Sequence, residues 1–123
     1  MACNFLWEHD GLVRRYTGTL TSSDIVASAR RTETHSNFSA LRWMISDMTS
    51  VTDVDVSDDA FETFLMHAIG ASYTNNRIRI AFVCTNIDAM ALVQKFMTMQ
   101  DCYETRMFSK FGPAMTWARR LDT

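Results

Sequence analysis

Two short runs with apolar residues, Phe5-Leu6-Trp7 within 4–8 and Leu12, Val13 and Tyr16 within 12–17, stand on either side of Asp10-Gly11. This pattern predicts a tight antiparallel hairpin, and Asp-Gly suits a type I′ turn, whose two central residues take φ > 0. Gly18 is expected to end the second strand. The period then switches repeatedly, predicting helix–strand–helix–strand–helix–strand–helix up to Leu121. Strands that alternate with helices are joined by crossovers, so the sheet is mostly parallel.

Helix starts are signalled locally. Thr21 with Asp24 three residues on is close to a capping box and precedes the Ile25–Val26–Ala29 stripe, which fades near His35. Ser57-Asp58-Asp59 gives a second helix a serine cap and two acids for its first turn. Phe61, Phe64, Leu65, Ala68 and Ile69 form its core stripe. Thr85-Asn86 caps a third helix over 87–99, and Pro113 opens the last, with Trp117 toward the core and Arg119-Arg120 at its negative end. Among the strands, 41–48 is apolar on both faces and reads as central, and 78–84 is nearly all apolar and reads as the sheet's centre. The last strand, 103–108, carries Glu104 and Arg106 on one side and reads as an edge.

At 123 residues the chain fits a single domain, 1–123. Twelve basic and fourteen acidic residues give a net charge of −2, with arginine pairs dispersed along the chain, which argues against nucleic acid as a partner. Asp47, Asp53, Asp55, Asp58, Asp59 and Glu62 follow one another with no Lys or Arg between them. Cys3, Cys84 and Cys102 lack metal-ligand spacing, and Cys84 reads as a small core hydrophobe. The first residues lack a signal-peptide pattern and no run is long enough to span a membrane, so a reduced, cytoplasmic protein is expected.

The order of elements resembles the SpoIIAA-like group, relatives of the STAS domains of anti-sigma-factor antagonists and anion-transporter tails. The residues that carry the resemblance are GTLTSSDI after the hairpin, WMISDMTSVTDVDVSDDAF in the middle and TRMFSKFGPAMTWA at the end. It implies a (βα) superhelix in which sequential parallel strands lie side by side with helices mainly on one face. It also implies that Ser57 matches the serine phosphorylated in the antagonists, within an Asp-Ser-Ser-Gly type motif. Here that motif reads Asp55-Val56-Ser57-Asp58. Asp58 in place of glycine removes backbone freedom, and Asp58-Asp59 would repel a phosphate charge of about −1.5 to −2. Ser57 is equally what an ordinary helix cap requires.

Other constellations are weak. Asp53, Asp55 and Ser57 alternate as in a calcium loop, but Asp58 and Phe64 stand where that loop needs glycine and glutamate. His9, His35 and His67 are dispersed, and neither a dinucleotide nor a P-loop motif occurs. No catalytic residue, metal site or cofactor is therefore assigned. Polar groups expected at the carboxyl ends of the strands offer a binding edge: Thr21, Asp47, Thr85, Asn86, Ser109 and Lys110, with Ser57. Most of these are also natural helix caps. On the third helix Met90, Val93, Phe96 and Met97 belong to an apolar arc wider than one core face requires, which points to a homodimer or partner interface. Extra burial within the chain and an apolar ligand groove are the other readings of that arc. The expectation is an α/β fold with a five-stranded mixed sheet, serving as a non-enzymatic binding or regulatory module that contacts a protein partner and self-associates. The alternative is a carrier of a small apolar or lipid-like ligand.

Overall fold

The computed structural model describes residues 3–120. Within them the chain runs β1 (Cys3–Trp7), β2 (Gly11–Thr21), α1 (Ser22–Glu33), β3 (Trp43–Asp55), α2 (Asp58–Ser72), β4 (Arg79–Val83), α3 (Ile87–Met99), β5 (Glu104–Phe108) and α4 (Phe111–Ala118), with one 3-10 turn over Phe38–Ala40. The last helix thus stops before Leu121, which lies outside the described residues. The strands lie in sequence order, with β1 antiparallel to β2 and every other neighbouring pair parallel. The fold is the α/β mixed sheet expected. Its centre is β3 rather than β4, because β5 adds only one strand beyond β4.

Alternation along the strands divides two cores. Leu12, Tyr16, Met44, Ile80 and Phe82 face α1, α2 and α3, where Ile25, Phe61, Leu65, Val93 and Phe96 close the larger core. Val13, Trp43, Ile45, Ala81 and Val83 face the other way and are covered by Ala114, Trp117 and Ala118 of α4. Three of the four α-helices among the described residues therefore share one face, and α4 covers the other.

Two local expectations fail. The hairpin has no left-handed residue: among the described residues only Gly18 has positive φ, at 72°. Asp10-Gly11 is therefore not a type I′ turn; the loop is closed by the Glu8 N–H donating to the Gly11 carbonyl at 2.8 Å. Gly11 is required by close approach, since a Cβ there would overlap the Trp43 indole. Gly18 does not end β2 either. It sits at a register irregularity in the β2–β3 pairing, beyond which Leu20 still pairs with Val54 and Thr21 with Asp55. β2 and β3 thus outlast β4, which stops where Val83 pairs with Asp47.

Candidate functional site

The carboxyl ends of β2 and β3 bring the starts of α1 and α2 together. Thr21 Oγ1 accepts from the Asp24 N–H at 3.2 Å, and Asp24 Oδ2 accepts from the Thr21 N–H at 3.1 Å, completing the capping box. Ser57 Oγ accepts from the Ala60 N–H at 3.1 Å and caps α2. Its own N–H donates to Ser22 Oγ at 2.9 Å, tying the two helix starts to each other. Ser57 is exposed, and so are Asp53, Asp55, Asp58 and Asp59 around it. Asn86 caps α3, accepting from the Asp88 and Ala89 N–H groups at 3.0 and 3.1 Å, and donates from Nδ2 to the Thr52 carbonyl at 3.4 Å.

The rest of the expected edge is elsewhere. Asp47 is 8% exposed and sits within β3, on the α4 face, because the strand runs on to Asp55. Its carboxylate accepts from Arg15 Nε at 3.2 Å and from the N–H and Oγ1 of Thr49 at 3.1 and 2.8 Å. The Arg15 guanidinium in turn lies 5.1 Å from the Phe111 ring centroid. Asp47 therefore fastens β2 to β3 and is not open to a ligand. Thr85, Ser109 and Lys110 are exposed, and the Lys110 side chain makes no capping bond at the start of α4.

The arc on α3 is consumed largely within the chain. Val93 and Phe96 are each 3% exposed, with Phe96 edge-on to Phe82 (centroids 5.8 Å apart) and tilted on Phe64 (5.3 Å). Neither is available to a partner, which corrects their assignment to an interface. Met90 and Met97 are half-buried against the same core. The helix instead exposes Ile87 and Met99 at its two ends.

The histidines stay apart in role. His9 is exposed in the hairpin loop, His35 stacks on Trp7 with centroids 3.7 Å apart, and His67 Nδ1 lies 2.6 Å from Glu33 Oε1. This last pair lines an open groove of about 540 Å³ between α1 and α2, together with Glu62, Thr63, Met66 and Thr74. Among the described residues no group of three His, Cys, Asp or Glu side chains is placed to hold a metal ion, and no helix is long and apolar enough to cross a membrane.

Burial favours the protonated form of two thiols, Cys84 and Cys3. It pushes Cys84 up from its ordinary 9.0 to about 11, and raises Cys3 despite the opposing charge of Arg14. Burial also raises the phenols of Tyr16 and Tyr103. Between pH 9 and 11 the unfolded chain therefore loses the Cys84 proton that the folded chain keeps, so stability falls as pH rises through that window. The urea midpoint is expected to decline from pH 8.5 to about pH 10.5, and a flat profile would contradict the buried, protonated thiol.

The residue that sequence reasoning missed is Arg14. It is 4% exposed, on the face of β2 that looks toward α1, α2 and α3. Its Nη1 donates to Thr32 Oγ1 at 3.3 Å and its Nη2 to Ser46 Oγ at 2.8 Å, while its Nε has no hydrogen-bond partner. Two cavities, of about 40 and 50 Å³, flank it. Both are bordered by Arg14, Phe64, Phe82 and Phe96; the first continues along Phe61 and Leu92, the second toward Glu33 and His67. One signal existed in the sequence. Leu12, Arg14 and Tyr16 alternate with Val13 and Arg15, so the two arginines point to opposite faces of the sheet and Arg14 shares its face with Leu12 and Tyr16.

No family model matches the sequence, and no curated protein does. Two solved structures resemble the fold over nearly its whole length. One is an uncharacterized protein of the DUF3478 family with a SpoIIAA-like fold from Shewanella loihica PV-4, at TM-score 0.63 and 17% identity, covering 95% of this chain and 92% of its own. The other is the anti-sigma factor antagonist SpoIIAA in its unphosphorylated form, at TM-score 0.64 and 12% identity, covering 98% of this chain and all of its own. With the strand order 1-2-3-4-5, the antiparallel first strand and the helix arrangement described above, these similarities identify the chain's architecture as the SpoIIAA-like fold.

Proposed function

We propose that this protein is a non-enzymatic, cytoplasmic binding module that regulates a protein partner through the edge around Ser57. The observation that carries the reading is the position of that serine. It is exposed, caps α2 and, through Ser22, joins the starts of two helices. SpoIIAA, which shares the fold, is an anti-sigma factor antagonist described in its unphosphorylated form. The exposed Asp53, Asp55, Asp58 and Asp59 suit a basic partner surface, and a phosphate on Ser57 would add like charge beside them. Self-association is part of the reading and draws on the exposed Ile87 and Met99 of α3. Sedimentation of the protein at high micromolar concentration tests it, and a monomer throughout removes that part.

Substitutions at Ser57 separate cap from switch. Ser57→Ala is expected to destabilise the protein by about 1 kcal/mol, and Ser57→Asp by less, because aspartate also caps. Recovery of a partner bound by the wild type should change with Ser57→Asp while the fold holds. An alanine variant as stable as wild type would remove the capping role, and equal recovery by wild type and Ser57→Asp would remove the switch. The alternative, a carrier of a small apolar ligand, is favoured by a different observation: the cavities beside Arg14.

A further inference from the structure

We infer that Arg14 and its flanking cavities form a binding site for a small carboxylate with a short apolar tail. The inference rests on the carrier reading and gives it a head-group chemistry; it is independent of the partner edge at Ser57. Arg14 is more than nine-tenths buried, and no carboxylate among the described residues lies in ion-pair contact with it. An arginine cannot escape burial by losing its proton, and an unpaired buried charge costs several kcal/mol. Thr32 and Ser46 satisfy N–H groups but supply no countercharge. Nε remains unbonded. A carboxylate that took Nε and a neighbouring Nη would supply both the missing hydrogen bond and the missing charge.

The surroundings define the rest of the ligand. Leu20, Met48, Phe61, Leu92 and Phe96 line the first cavity, so the tail attached to the carboxylate is hydrocarbon, not sugar or phosphate. The two spaces hold only a few water volumes each and share Arg14, Phe64, Phe82 and Phe96 as borders, so a tail that spans both requires the rings between them to turn. Glu33 and His67 line both the second cavity and the open groove between α1 and α2, so entry from that groove requires their contact to open.

The test uses the purified protein titrated with octanoate and, separately, octan-1-ol, read by calorimetry and by the Arg14 Nε–H resonance in a nitrogen-correlated NMR spectrum. Octanoate should bind and shift that resonance, octan-1-ol should bind at least tenfold more weakly, and Arg14→Met should lose the octanoate preference. Equal binding of the two probes would overturn the role of Arg14 while leaving the carrier reading in place. Binding of neither at millimolar concentration would overturn both. If Arg14→Met fails to fold, the wild-type resonance decides: octanoate binding without a shift at Arg14 Nε overturns the site.

Discussion

Replacing Phe96 with alanine is expected to lower the unfolding free energy by about 3–5 kcal/mol, the range for deleting a buried aromatic ring. Phe96 is 3% exposed, and its ring is shared between Phe82 on the sheet and Phe64 on α2. It also borders both cavities beside Arg14, so its removal enlarges space that is already present rather than space the neighbours can refill. The measurement is a urea titration monitored by tryptophan fluorescence and by circular dichroism. A loss below about 1 kcal/mol would mean that α3 does not seat on the sheet as described. For the same reason Phe96→Glu would unfold the chain instead of dissociating a dimer. Ile87→Glu, at an exposed position, is the substitution that tests self-association without touching the core.

The elements legible in the sequence are those decided within a few residues. Ser57, Thr21 and Asn86 cap as expected because an N-cap answers to its own helix start and to nothing distant. The third helix begins and ends at the predicted residues, Ile87 and Met99. The features that depend on pairing partners were not legible. Past Met48, Thr49, Ser50, Thr52, Asp53 and Asp55 read as loop, yet they stay in β3 because β2 continues alongside and satisfies the backbone. That extension in turn moves Asp47 from the expected strand end into a covered position beside Arg15. The apolar arc on α3 is wide, but periodicity reports how much surface is apolar, not whether the cover comes from the same chain. Arg14 was hidden for a related reason. Charge in a strand reads as a solvent face until both faces of the sheet are known to carry helices.

Gly11→Ala is expected to cost about 3 kcal/mol or more, at or beyond the upper end for overpacking a rigid core. Backbone conformation is not the cause, since among the described residues only Gly18 has a positive φ. The added Cβ would fall on the indole of Trp43, which pairs with Gly11 across β2 and β3. That ring cannot swing clear. It is 3% exposed, donates from Nε1 to Asp10 Oδ1 at 3.2 Å, and has the Arg119 guanidinium 5.5 Å from its centroid. Gly18→Ala makes the useful contrast. Nothing lies within 4 Å of a Cβ there, so its cost comes from φ alone. About 1–2 kcal/mol is expected for it, from the left-handed backbone. Urea titration of the two variants ranks them, and a Gly11→Ala loss no larger than that of Gly18→Ala would show that the indole yields. The consequence reaches the candidate ligand site, because Gly11 sets the start of β2 and Arg14 lies three residues further along the same strand. A variant that folds only by pushing β2 away from Trp43 should also move Arg14 relative to Ser46 and Thr32, and weaken octanoate binding without any change at the site itself.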